Sequence, residues 1–576
     1  MFELPHDSSR RLFGPNPWHA GVGVVLETAA GIQIDDAVLE RWRANVSRMR
    51  ERLAWPDEAI IARRHQGGAS LFLAAPVDRL LCATELNEWS WGATCGRAVG
   101  FAPGHPASWD EDSATHTLQV MARSEARPAL QALSQAADQH AMPMLWGEGS
   151  VRLGSGAGGR NWPEFDLPAS VEVPWAALHA VPTALVTGSN GKTTTVRVLA
   201  AMLRDAGHRV GFSCTDGLFV EGVQIEAGDY SGPLGTRTVL RRADIDAAVL
   251  ETARGGILRR GLAVDRVDAA IVTNVSVDHF GEYGVHTLAD LAFAKLAVAR
   301  ALRPDGLLVL NADDAVLRAA SAELDARIGW FSLDEQATFL HQHAPTRPAC
   351  VVRAARLYLH PNGVIEAGID LGAIEAMPLS MAGLARYNIA NLAGAAVLGH
   401  ALGLSPSSIA TTFRNFGHDN ADNRGRLERW DRNGVRIWLD FAHNPEGLSG
   451  LLDIAMAERG EGRLALTLGH AGNRRDEDIL ALAHTAAKYR PDRVVLKEIH
   501  GYERGRAEGE IADLMRCQLI ADGVPDAAIE FIANEAQAAR TLLDWAKPGD
   551  TVVLLIHAMD AKAEVQALLD APEARD

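Results

Sequence analysis

From about residue 180 onward the chain repeats one pattern. Four or five consecutive apolar residues end at a polar or glycine-rich turn, and a stretch with apolar positions at helical spacing follows. Short apolar runs bounded by turn signals read as strands buried on both faces, and their alternation with helices predicts repeated βα units around a mostly parallel sheet. The predicted strands are Ala184–Thr187, Ala247–Leu250, Ala269–Thr273 and Leu307–Leu310, each closing just before a polar cluster. Residues 351–381 read as a β-rich excursion, and Arg386–Leu402, full of Ala and Leu, as a helix. After a break at 420–426 a second series follows: Val435–Phe441, Leu464–Leu468, Arg493–Leu496 and Thr551–Ile556. Residues 1–170 are less regular. Their tryptophans (Trp18, Trp89, Trp91, Trp109, Trp146, Trp162) are expected in a core rather than on a docking surface, and the glycine-rich stretch 154–159 has the composition of a linker.

The predicted class is therefore α/β, in three parts. Residues 1–170 form a smaller mixed N-terminal domain. Residues 171–422 form a central domain with a mostly parallel sheet, and residues 423–576 a Rossmann-like C-terminal α/β domain. A length of 576 residues fits that division, since domains run to roughly 150 residues. The 47% hydrophobic and 22% charged content excludes a mostly disordered chain. A net charge of −17 argues against a nucleic-acid partner. Five cysteines without CxxC spacing suggest neither a disulfide framework nor a thiolate metal site. With no signal-like start and no apolar run long enough to cross a bilayer, a cytoplasmic protein without a membrane partner is expected.

The segment 186–203, VTGSNGKTTTVRVLAAML, runs a strand into a glycine turn, then Lys and Thr, then an amphipathic helix. Gly188, Ser189, Asn190 and Gly191 let backbone N–H groups and a helix start face a polyphosphate. Lys192 adds a cation, and the hydroxyl of Thr193 or Thr194 can hold Mg²⁺. Val186 stands where the longer form of this loop has its first glycine. Other strand ends add candidates. Glu251 is placed to ligate Mg²⁺, or alternatively to pair with Arg254 or Arg259. His279, after Asp278, could ligate a second metal or position a nucleophile, although such a pair also occurs in plain surface turns. Lys295 sits in an apolar helical stretch, where a snorkelling lysine is the competing reading. Asn311 and Asp314 close another strand with groups suited to a base or ribose.

GSNGKTTT, LETARGG, TNVSVDH, NADD, ARYNIANLAGAA, NRGRLE and DFAHNPEG, in this order, resemble the Mur ligase family of ATP-dependent amide ligases over residues 180–576. LETARGGILRRGL and GNRRDEDI are most similar to the Mur-ligase half of the cyanophycin synthetases. The resemblance implies that Gly188–Thr194 bind ATP and that Thr193, Glu251 and His279 serve Mg²⁺. It implies a carbamylated Lys295 completing a metal site, and Asn311 and Asp314 beside the adenosine. Arg426 and Asp440 would reach the nucleotide from the C-terminal domain, with His443 and Asn444 near the γ-phosphate and the incoming amine. The implied reaction activates a carboxylate as an acyl phosphate and joins it to an amino acid.

Two departures matter. RRLFGPNPWH (10–19) and MPMLWGEGSVRLGSG (142–156) resemble the flanks of an ATP-grasp domain for which residues 1–165 leave no room, so this chain is not expected to build an aspartate–arginine polymer alone. In KEIHGYERGRAEGE (497–510), His500 and Glu503 replace an acidic run suited to a guanidinium. Arg504 and Arg506 there could grip the carboxylate of the incoming amino acid, or be solvated loop charges. The acceptor is expected to be a small or peptide-like carboxylate. Two other readings compete: an idle ATP-binding scaffold partnering a separate ATP-grasp protein, and a P-loop kinase or translocase. Intact Lys192, Glu251, His279 and Asp440 argue against the first, and the AHNP and NRGR motifs against the second.

Overall fold

The computed structural model describes residues 6–55, 58–96, 110–278 and 280–572. Its centre is an eleven-stranded sheet. The strands run in the order Val223–Ala227, Gly217–Val220, Val210–Cys214, Ala247–Glu251, Thr183–Thr187, Val267–Val272, Leu302–Asn311, Ile328–Ser332, Ala349–Arg353, Arg356–His360 and Ile369–Ala373. The interior strands pair in parallel, and antiparallel strands extend both edges. All the predicted strands are present, as are the β-rich excursion and the helix Arg386–Ala401. The strand Ile328–Ser332 and the ribbon 210–227 were not anticipated.

Helices Lys192–Asp205 and Arg386–Ala401 pack together on one face of this sheet, and every residue from Thr193 to Leu203 is buried. The sequence permits that closeness because the second helix turns Gly394, Ala393 and Ala396 toward its neighbours, and a Cβ on Gly394 would touch Ile271 and Phe331. A helix buried on all sides carries no polar stripe, which is why this one reads as Ala- and Leu-rich throughout.

The C-terminal domain is a six-stranded sheet in the order Glu428–Arg432, Val435–Asp440, Thr551–Leu555, Leu464–Leu468, Arg493–Leu496, Ile529–Phe531. Apolar clusters cover both faces, and its parallel pairings match the expected Rossmann-like layout. The N-terminal region holds a four-stranded antiparallel sheet, Trp42 and Trp91 being fully buried in its core. Trp18 and Trp89 are buried as expected, Trp146 and Trp162 half-buried, and Trp109 lies outside the described residues.

The stretch 154–159 is not a linker. Ala157 N–H donates to the Ile245 carbonyl at 2.7 Å, His179 N–H to Gly158 at 3.0 Å, and Ser155 N–H to His179 at 3.2 Å. Its small residues permit a buried turn against the central domain. Leu12, Trp18, Phe72 and Leu145 share one apolar cluster with Leu185 and Leu250 of the central sheet, and Leu262 N–H donates to the Pro15 carbonyl at 2.7 Å. The described residues of this N-terminal region are thus seated directly on the central domain.

Candidate active site

The strand Thr183–Thr187 delivers the chain to the loop 188–191 at the carboxyl edge of the sheet, where open α/β sheets bind ligands. Gly188 has φ +153° and a Cβ there would lie 1.8 Å from the Thr273 hydroxyl. Gly191 has φ +83° and a Cβ would lie 2.2 Å from Asn391 Oδ1. Neither position admits a side chain without moving its neighbours. The loop is clamped to the next strand end: Asn190 N–H donates to Asn274 Oδ1 at 2.9 Å, Ser276 N–H to Ser189 Oγ at 3.0 Å, and Thr273 Oγ1 to the Asn190 carbonyl at 2.6 Å. Lys192 Nζ folds back over the loop, donating to the carbonyls of Gly188 (3.1 Å) and Ser189 (3.0 Å).

Beneath the loop, Thr193 Oγ1 donates to Glu251 Oε2 at 2.8 Å, and Thr215 Oγ1 donates to Glu251 Oε1 at 2.8 Å. Glu251 is fully buried. The ion-pair alternative is absent, since Arg254 binds Glu282 at 2.7 Å and Arg259 the Gly255 carbonyl at 3.0 Å. Among the described residues no cluster of three or more His, Cys, Asp or Glu could hold a metal alone. The hydroxyl and carboxylate oxygens of Thr193 and Glu251 are the donor set Mg²⁺ accepts when phosphate oxygens and water supply the rest.

His279 lies outside the described residues. Its neighbour Asp278 accepts from Arg474 Nη1 at 2.8 Å, across the gap to the C-terminal domain. Lys295, the last residue of the helix Leu288–Lys295, is 2% exposed, so it does not snorkel. Burial, followed by the charge of Lys192, holds its amine well below the usual range, with Asp278 opposing and Arg254 adding to the depression. None of the described residues' hydrogen bonds reaches this amine. The neutral form it favours is the nucleophilic one.

The C-terminal domain supplies the facing wall. A cavity of about 160 Å³ is lined by the phosphate loop, Thr193, Thr194, Glu251, Arg426, Asp440, Phe441 and His443, among others. Asp440 accepts from Leu427 N–H and Ala442 N–H, both at 2.7 Å, and burial raises its carboxyl above the usual range. Arg426 lies 4.5 Å over the Phe441 ring and 3.4 Å from Thr193 Oγ1. Burial pushes the His443 imidazole down to about 4, so it is neutral. Asn444 caps the helix Pro445–Arg459 and donates to Asn190 Oδ1 at 2.8 Å, while Asn190 Nδ2 donates to Glu446 at 2.8 Å.

Sequence reasoning missed a second contact between the domains. Asp216, buried in the turn after the strand Val210–Cys214, pairs with Arg197 at 2.9 Å, Arg426 at 3.6 Å and Lys562 of the last helix. Thr215 and Lys562 stand outside any local pattern, so only the fold brings them here.

Three predicted residues also make structural bonds. Asp314 caps the helix Ala315–Ser321, its Oδ1 accepting from Val316 and Leu317 N–H and its Oδ2 from Val275 N–H at 2.7 Å. Asn311 donates to the Thr273 carbonyl at 3.2 Å. Both lie at the sheet edge but outside the cavity lining. Arg506 bonds to the carbonyls of Gly472 (3.0 Å) and Arg474 (2.8 Å) and to Asp476 (2.7 Å) and Glu510 (2.8 Å). These bonds engage its whole guanidinium in clamping the loop that carries Arg474, leaving Arg504, exposed against Tyr502, as the freer cation.

The family model for the Mur ligase middle domain matches residues 186–399, and that for the Mur ligase glutamate ligase domain matches residues 425–555. The chain is 35% identical over 379 residues to a cyanophycin synthetase from Crocosphaera subtropica, covering 65% of this chain and 42% of the relative. It thus spans less than half the length of that enzyme. A UDP-N-acetylmuramoyl-L-alanyl-D-glutamate–2,6-diaminopimelate ligase from Ectopseudomonas mendocina is 27% identical over 464 residues, covering 77% and 84% of the two chains. The fold is similar to that of a bifunctional folylpolyglutamate synthase/dihydrofolate synthase from Yersinia pestis, crystallised with AMPPNP and Mn, at TM-score 0.50 and 20% identity over 68% of this chain and 89% of that one.

Proposed function

From the premise that this chain, with its middle and glutamate-ligase domains, belongs to the Mur ligase family, we propose that it is an ATP- and Mg²⁺-dependent carboxylate–amine ligase. One observation carries the reading: the Thr193–Glu251 pair beneath a phosphate loop faces Arg426 and Asp440 of another domain across a single cavity. In this proposal the loop amides and Lys192 bind the polyphosphate, and Thr193 and Glu251 hold the metal. When bound, Mg²⁺ offsets the negative charge gathering on the phosphate oxygens.

A substrate carboxylate oxygen attacks the γ-phosphorus and ADP leaves, giving an acyl phosphate. The nitrogen of an amino acid then attacks the acyl carbon, expelling phosphate that retains the carboxylate oxygen. The neutral imidazole of His443 is suited to take the proton shed by that nitrogen. Contacts from Asn444, Glu446 and Arg426 keep the cavity covered, which protects an anhydride from water. Lys295, His279, Asn311, Asp314 and Arg504 remain proposed participants: the first two at the metal, the next two at the adenosine, and the last at the carboxylate of the incoming amino acid. The acceptor is proposed to be a small or peptide-like carboxylate, with arginine among the candidate amines by likeness to the cyanophycin synthetases.

The idle-scaffold alternative is disfavoured by the preserved Thr193–Glu251–Thr215 constellation, and a separate ATP-grasp partner has no support in the comparisons. The test is ADP release across a panel of amino acids and carboxylate acceptors. Release should require both components, vanish in Lys192→Ala, and transfer ¹⁸O from the acceptor carboxylate into phosphate. Hydrolysis indifferent to both components, without label transfer, would refute the ligase.

A further inference from the structure

A second cavity, of about 520 Å³, lies between the N-terminal region and the central domain. It is lined at the amino end of the strand Val267–Val272 by Val264, Asp265 and Arg266. The nucleotide loop sits at the carboxyl ends of the same sheet. Six residues at about 3.3 Å each separate the two by roughly 20 Å, so this cavity is not an extension of the first.

Its polar groups are mismatched with one another. Asp265 Oδ1 is shut off from water and accepts no hydrogen bond, and burial pushes this carboxyl up to about 6 against the opposing charge of Arg266. Three donors in the same lining are equally unmet: Arg237 Nε, Trp146 Nε1 and Arg266 Nε are buried without an acceptor. No described residue hydrogen-bonds the guanidinium of Arg237, and burial depresses it, with the charge of Glu148 opposing. The other charged groups also have partners of their own. Arg266 binds Asp138 at 3.2 Å, and Arg300 donates to the Pro17 carbonyl at 3.3 Å. Buried polar groups are normally hydrogen-bonded, so four unmet ones lining one cavity call for a partner that the folded chain does not itself supply.

An unmet acceptor and three unmet donors, in a space large enough for a small molecule, complement one charge pattern. We propose that this cavity binds a zwitterion, an amino acid or the end of a short peptide, with its ammonium on Asp265 and its carboxylate on Arg237 and Trp146. A cation alone would leave the donors unmet, and an anion alone would face Asp265. The site lies outside the reaction path proposed above and does not depend on it.

The full chain would be titrated calorimetrically with L-glutamate, L-arginine and glycylglycine, and with acetate and ethylammonium as half-probes. At least one zwitterion should bind where neither half-probe does. Asp265→Asn and Arg237→Gln should each weaken that binding about tenfold or more, and Lys192→Ala should leave it unchanged. Ser134→Phe, which fills the cavity from the helix Pro128–Gln139 without touching either charge, should abolish it in a chain whose thermal melt matches wild type. No zwitterion binding, or binding that survives all three cavity variants, would overturn the assignment.

Discussion

His443 and the two histidines near it illustrate what burial does to a single side chain. The ordinary imidazole value of 6.5 falls to about 4 for His443, with desolvation as the leading cause, and His470 and His557 shift in the same direction for the same reason. The unfolded chain therefore binds these protons more readily than the folded one. Their stabilising contribution is complete above pH 6.5 and is lost as the pH falls through that value toward 4. For His443 alone the loss is on the order of 3 kcal/mol. Urea unfolding between pH 7 and 4 should show a steep decline in wild type and a shallower one in His443→Gln. Parallel profiles would mean that this imidazole is solvated. The same physics separates Lys295 from the surface lysine its sequence context allows: helical spacing cannot tell a snorkelling stem from a fully enclosed amine.

At the scale of elements, the phosphate loop carries its own specification. Gly188 and Gly191 are read straight off the sequence, and the structure adds why both are needed: a left-handed backbone and no room beside Thr273 and Asn391. Gly191→Ala should reduce ATP-dependent turnover at least a hundredfold. Adding Asn391→Gly, which relieves the clash but leaves about 1 kcal/mol of backbone strain, should restore part of the nucleotide affinity. A double variant no better than the single one would assign the defect to the backbone alone. Glu251, Arg426, Asp440 and Asn444 were legible because each lies in a contiguous motif at a strand end. Thr215, Asp216 and Lys562 were not, because they meet only once a hairpin and the last helix are folded against each other. Asp314 and Arg506 were legible as candidates, but the structural bonds they also make were not. An aspartate just before a helix is already sought by the helix's free N–H groups, and an arginine among loop carbonyls is claimed by them. The stretch 154–159 misled for a related reason, since small residues serve close packing as readily as flexibility.

For the molecule as a whole, Asp216, held by Arg197 of its own domain, joins the central to the C-terminal domain through Arg426 and Lys562. Removing the carboxylate strands several buried cations, which typically costs about 3–5 kcal/mol. Asp216→Asn should raise amide hydrogen exchange in residues 423–428 and in the helix Met559–Asp570, leaving the central strands protected. Exchange identical to wild type would show that this ion cluster does not fasten the domains. The N-terminal region behaves differently, because Leu12 and Trp18 belong to the core beneath the central sheet and cannot part from it without exposing that core.

Asn190 is gripped from the C-terminal domain by both Asn444 and Glu446. On the proposed function, a spent nucleotide seated on that loop would be boxed in until those two side chains let go. The tempo of successive cycles would then be governed by how often the box opens, and a faster bond-forming step inside it would go unnoticed in the overall rate.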